Sequence, residues 1–212
     1  MNLSELQSEV LSLVNRPELL NTTILAAIKS ATLKLHQMDF FAKDLFETVV
    51  TFPSAEFLQT FDYASNIPRW RALKYVVRVD STSGEPIYPA LKVLTPEELI
   101  DSYNIPKVNV VYQAGSNLQI KCDAKIQTFA FGCYLSPDVG TSTYTSWIAV
   151  EYPYAIVFEG AAAVFKAVGF KEEEASMRLL AGEQQVLIQR NNIQTVFLCN
   201  ISFPDITKAQ FG

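Results

Sequence analysis

Hydrophobic and polar positions change period twice along this chain of 212 residues. Near the start, Leu3, Leu6, Val10 and Leu13 recur three or four residues apart, which predicts a helix with one apolar face. Asn15-Arg16-Pro17 ends it, because proline disfavours helical geometry in the residue before it. Asn21 offers an N-cap to a second helix, on which Ile24, Ile28, Ala31, Leu35 and Met38 again fall at helical spacing. The period then shortens. Leu45–Phe52 and Leu73–Asp80 are rich in β-branched and aromatic residues and read as strands. Val108–Ala114 and Leu118–Cys122 flank Gly115-Ser116-Asn117 as a hairpin, and Ile126–Leu135 is a further strand. Between them Ser81–Pro86 is a loop. Thr95-Pro96-Glu97-Glu98 is a capping box that predicts a short helix to about Tyr103. A polar loop, Ser136–Ser142, closes this region.

The helical period returns after Ser146. Pro153 suits the first turn of a helix, where its missing N–H would go unpaired anyway. From Tyr154 to Val168 only Glu159 and Lys166 are charged, so this helix must be covered on every side. After a Gly169 corner, Glu172, Glu173 and Glu174 match the positive end of a second helix. Ala175, Leu179, Val186 and Leu187 would form its apolar face, with Arg190 near the far end. The last stretch, Ile193–Gly212, has the composition of a strand.

These periods predict an α+β fold. Residues 1–44 and 146–192 would form a helical bundle, 45–145 an inserted β-rich domain, and 193–212 an extended C-terminal tail. The expected bundle core is Ile24, Ile28, Leu35, Ile156, Ala162, Phe165, Leu179 and Val186. The tail carries Ile193, Val196, Phe197, Leu198, Ile201, Phe203, Ile206 and Phe211, too apolar a set for a solvated terminus. It is expected to pack on its own domain or to add a strand to a partner.

Composition narrows the function classes. Charged residues are 18% of the chain and mean hydropathy is +0.14, which favours an apolar surface covered by other subunits. The net charge of −5 and the absence of a Lys/Arg cluster argue against sequence-specific DNA binding. An acidic wall would instead let DNA slide past. Cys122, Cys133 and Cys199 show no metal or redox spacing and read as reduced thiols. No signal peptide and no membrane span is visible, which predicts assembly in the cytoplasm.

Candidate chemistry is sparse. His36 is the only histidine and has no ligand or nucleophile at a recognisable spacing, so a packing or surface role is expected. The Glu97-Glu98 and Glu172–Glu174 runs are explained by helix starts. No Gly-rich phosphate loop is present, and no cofactor or metal is expected. Arg69, Trp70 and Arg71 combine two guanidinium groups with an indole. Arg stacked on Trp could recognise a nucleic-acid base or a partner surface; the residues read first as a loop anchor and next as a protein interface.

The layout resembles bacteriophage head-to-tail adaptor proteins, the neck, tail tubular A-like or head-completion proteins. The resemblance spans nearly the whole chain. It rests on the N-terminal helices, the β insertion, and Trp147, Tyr152 and Pro153 leading into an Ala-rich helix. The Gly169 corner and the closing helix complete it. It implies a structural, non-enzymatic homo-oligomer, a ring of about twelve subunits below the portal. The ring would extend the DNA channel and hold the tail or nozzle protein. Packaged DNA would pass without sequence-specific binding, and the tail segment would bind the portal. The implied location is the virion neck, after assembly in the host cytoplasm, with no membrane contact. The alternatives are a tail terminator or tube protein, or a small cytoplasmic α+β enzyme or ligand-binding protein.

Overall fold

The structure, a computed structural model, describes residues 1–16, 21–99 and 107–201. In chain order the elements are α1 (Leu3–Val14), α2 (Asn21–Gln37), a 3-10 turn (Ala42–Asp44), β1 (Leu45–Asp62), α3 (Tyr63–Asn66), β2 (Trp70–Val79), β3 (Pro86–Ile87), β4 (Lys92–Leu94) and α4 (Pro96–Leu99). Then follow β5 (Val110–Ala114), β6 (Asn117–Leu135), α5 (Trp147–Glu151), α6 (Pro153–Val168) and α7 (Lys171–Ile201). By its contacts the chain divides into a helical unit, Met1–Asp44 with everything from Pro137 onward, and a sheet unit, Leu45–Ser136.

In the helical unit each local stop and start has a chemical cause. A reciprocal capping box opens α1, with the Asn2 side chain on the Glu5 amide and the Glu5 side chain on the Asn2 amide, both at 2.9 Å. Asn15 closes the helix in the left-handed region, φ 49°. The buried stripe of α1 is Leu3, Leu6, Val10 and Val14. Leu13, expected on that face, lies half out, because 3.6 residues per turn favour Val14 in line with Val10. Proline starts α6 and Gly169, φ 85°, ends it. This helix packs against α1, α2 and α7. Its buried face includes Ile156, Gly160, Ala161, Ala162 and Phe165, and Ile24, Ile28 and Leu35 of α2 are buried too.

The sheet unit is built around β6, 19 residues long. Its C-terminal half pairs antiparallel with Leu45–Thr51 of β1 on one side and with β2 on the other. Its N-terminal half pairs with Leu58–Asp62 of β1 and with β5. Parallel pairing of β4 to β5 makes the sheet mixed. The sheet curls where β1 loses register between Thr51 and Glu56, and Pro53 falls inside that break, since it has no N–H for the ladder. Gly115, φ 62°, turns the β5–β6 hairpin. The concave core gathers Phe61, Ile67, Val76, Leu91, Val111, Ile120, Phe129 and Phe131.

The expected fold class needs correction. The fold is α+β with N-terminal helices, a curled mixed sheet and then C-terminal helices, and among the described residues the stretch after residue 192 is helical, not an extended tail. Residues 193–201 instead continue α7, which runs 31 residues. Ile193, Val196, Phe197, Leu198 and Ile201 are therefore helical. Their strand-like composition was outweighed because no Gly or Pro interrupts the chain between Gly182 and Pro204, and extending an existing helix is far easier than nucleating a strand. Phe203, Ile206 and Phe211 lie outside the described residues, as does the end of the capping-box helix expected to reach about Tyr103.

Candidate functional site

The densest polar site is in the helical unit. It joins residues from α2, the 3-10 turn and the start of α5. His36, only 1% exposed, places Nδ1 2.9 Å from Asp44 Oδ1 and 3.1 Å from Oδ2, while its Nε2 lies 2.9 Å from Ser146 Oγ. The indole N–H of Trp147 donates to the same Asp44 Oδ1 at 2.8 Å. The Trp147 ring meets the His36 ring edge-on at 5.6 Å and Phe41 at 5.1 Å. Beside Ser146, a groove of about 570 Å³ is lined by Met1, Glu5, Tyr144, Trp147 and Val150 among others.

In connectivity the order Ser146–His36–Asp44 is that of a hydrolase triad. Its surroundings differ from a working one. Ser146 Oγ is the N-cap of α5 and accepts the Ala149 amide at 3.2 Å, so one lone pair is taken. The Tyr144 hydroxyl, 2.8 Å from Thr32, also interacts with Ser146, and burial pushes the Tyr144 phenol up from its ordinary pKa. The cluster's clear physical effect is to tie three chain segments together through bonds that leave few buried groups unsatisfied. Sequence reasoning missed it because Asp44 and Ser146 are separated by a whole β region. A serine immediately before a helical run is the local signal that could have marked Ser146 as an N-cap.

A second buried charge joins α2, α6 and α7. Glu159 of α6 is buried, and its Oε1 accepts Lys34 at 2.6 Å and Arg178 at 3.2 Å. Arg178 also bonds Glu174 at 2.9 Å.

The other predicted residues are dispersed. Ile24, Ile28, Leu35, Ile156, Ala162 and Phe165 are buried. Leu179 and Val186 are instead 69% and 55% exposed, and Ala181 and Ile188 take the inward positions on α7. The apolar stripe read from the sequence is real, but it faces outward. Arg69, φ 64°, donates to the Ser136 carbonyl at 3.3 Å. Trp70 stacks on Tyr63 at 4.6 Å, and Arg71 is half-buried. Cys122 and Cys133 are buried free thiols, and burial pushes both up to about 11. Among the described residues no group of three or more His, Cys, Asp or Glu could hold a metal ion, and no helix is long and apolar enough to cross a membrane. Compared with known proteins, the chain matches no family model and no curated protein.

Proposed function

We propose that this chain is a structural head-to-tail adaptor of a bacteriophage, a ring subunit that sits below the portal and carries the tail. The observation that supports it best is where apolar surface is left over. Leu179, Val186 and Leu187 on α7 and Val49, Phe57 and Leu58 on β1 are all exposed. A free monomer rarely leaves so many large side chains uncovered on two regular elements, so the surfaces fit assembly with other subunits. The helical run Ile193–Ile201 at the end of α7 would supply the portal contact. The helical unit holds 13 acidic against 9 basic residues and the sheet unit 9 against 8, so most of the negative charge belongs to the helical unit. Such a wall suits a channel that DNA slides through.

Native mass spectrometry of the full chain, alone and with the portal protein encoded in the same genome, tests the reading. A ring that forms alone or on the portal is expected. A chain that stays monomeric and does not bind the portal overturns it.

The Ser146–His36–Asp44 order favours a second reading, a serine hydrolase. A serine-directed fluorophosphonate decides it. Labelling of Ser146 that disappears in His36→Gln would establish a reactive nucleophile. Under the adaptor reading the serine stays unlabelled.

A further inference from the structure

Helix α7 keeps its more apolar side outward. Its buried residues are Ala181 and Ile188, while Leu179, Val186 and Leu187 are exposed. At 3.6 residues per turn Leu179 stands about 180° round the helix from Ile188. Ala175, Leu179, Gly182, Val186, Gln189 and Ile193 recur in steps of four, three, four, three and four. That is the period of a helix that packs along one seam against another helix, and Gln189 is its one polar member. α7 runs 31 residues against 16 for α6, so α6 cannot accompany its C-terminal half.

Two charges flank the seam on the same side. Glu183 and Arg190 are both exposed, and neither makes an ion pair or a hydrogen bond among the described residues. Seven residues separate them, roughly 10 Å along the axis, too far to pair with each other. Beside Arg190 a hollow of about 310 Å³ is lined by Tyr152, Leu187 and Asn191.

We infer that a second copy of this chain covers the seam, with the two α7 helices antiparallel about a two-fold axis level with Val186 and Leu187. Glu183 of each copy then meets Arg190 of the other at the hollow, and the symmetry makes that ion pair twice. Val186 and Leu187 of both copies cross at the centre. Ile193 of one copy comes level with Gly182 of the other, where nothing lies within 4 Å of the place a Cβ would take. Parallel helices would instead set Glu183 against Glu183 and Arg190 against Arg190. Antiparallel helix dipoles favour the same choice.

This contact is isologous, so it is complete at two copies and differs from the contact that would close a ring. Under the adaptor reading it covers the start of the helical run assigned to the portal. Pairing and portal binding then compete, and the free subunit is held as a dimer until a portal displaces the second copy.

Sedimentation equilibrium of the full chain over a concentration series tests the pairing, and circular dichroism shows that each variant remains folded. The wild-type chain should pass from monomer to dimer as concentration rises. Glu183→Arg and Arg190→Glu should each weaken the dimer by about tenfold or more, since like charges then meet twice. An equimolar mixture of the two variants should dimerise as the wild type does, because each copy offers the sign the other lacks. A wild-type chain that forms no dimer, a dimer indifferent to both reversals, or a mixture that does not recover would overturn the α7 pairing and leave the adaptor reading to its own portal test. A dimer that follows the charge pattern and never binds the portal keeps the pairing and overturns the adaptor reading alone.

Discussion

In the helical unit, side chains from distant parts of the chain satisfy one another inside the core. In the sheet unit the backbone ladder does most of that work, and among the described residues the outer edge of β1 carries no further strand. His36, Asp44, Ser146 and Trp147 close a polar cluster across more than a hundred residues of sequence, and Glu159 holds Lys34 and Arg178. The sheet unit has one buried guanidinium, Arg78, whose Nε finds no partner among the described residues. Its thiols, Cys122 and Cys133, are simply enclosed. The difference shows where specificity resides. The helical unit is specified by side-chain bonds that break if one partner is lost. The sheet unit is specified by register and shape, and the outer edge of β1 leaves it capable of further pairing.

The comparison is broken most severely at Ala162. It is fully buried on α6, so Ala162→Asp places an unpaired carboxylate in the core at a cost of about 3–5 kcal/mol. That is a large part of a domain's whole stability. Urea denaturation should show the helical signal lost at much lower denaturant.

Asp44→Ala comes next. It strands both His36 Nδ1 and the Trp147 indole N–H, which should cost about 2–4 kcal/mol. Asp44→Asn keeps one acceptor oxygen and should fall between the two. Thermal unfolding of the pair measures the difference. If Asp44→Ala costs under about 1 kcal/mol, the cluster is not what holds α2 to α5.

Two glycines sharpen the contrast between shape and open space. A Cβ at Gly132 would lie 2.4 Å from the Tyr75 ring, which packs over the strand to reach Glu47. Gly132→Ala should displace that ring and cost about 1–3 kcal/mol. At Gly160, in the middle of α6, a Cβ would make ordinary contacts at 3.6 Å to Val10 and 3.7 Å to Ile28. Gly160→Ala should therefore stabilise by about 0.5–1 kcal/mol, because alanine loses less backbone freedom in a helix. Opposite signs from the same chemical change are expected in the two units.

The smallest effect is alkaline. Cys122 and Cys133 ionise near 9.0 when unfolded and about 11 in the folded sheet unit, because burial disfavours the thiolate. The Tyr75 phenol is raised to about 12, first by burial and then by the Glu47 hydrogen bond. All three hold their protons more tightly when folded. The stability these three groups contribute is fully present below about pH 9 and is lost as pH rises from about 9 to about 12. In a Cys199→Ser background, a thiol reagent at pH 8 should modify the native chain far more slowly than the urea-unfolded one. Equal rates would mean that the thiols are not enclosed.

The sequence determined what depends on neighbours along the chain. The Pro153 start and Gly169 stop of α6, the turn at Gly115, the capping box at Thr95 and the apolar periods of α1 and α2 are local signals, and elements form where they say. Two features depended on what the chain meets in space, the inward face of α7 and the His36 site. The α7 stripe contains Leu179 and Val186, yet the core took Ala181 and Ile188, since the inward face is set by how α7 packs on α6 and not by which residues are most apolar. A third feature was decided along the chain after all: the segment after Asn192 has strand composition, yet it stays helical to Ile201, since cooperativity carries a formed helix through weak formers. The single histidine had no partner in reach along the sequence. Its carboxylate and hydroxyl arrived only when the fold brought the 3-10 turn and the start of α5 against α2. Spacing along the sequence records i to i+4 neighbours, and the His36 site is made of contacts eight and 110 residues apart.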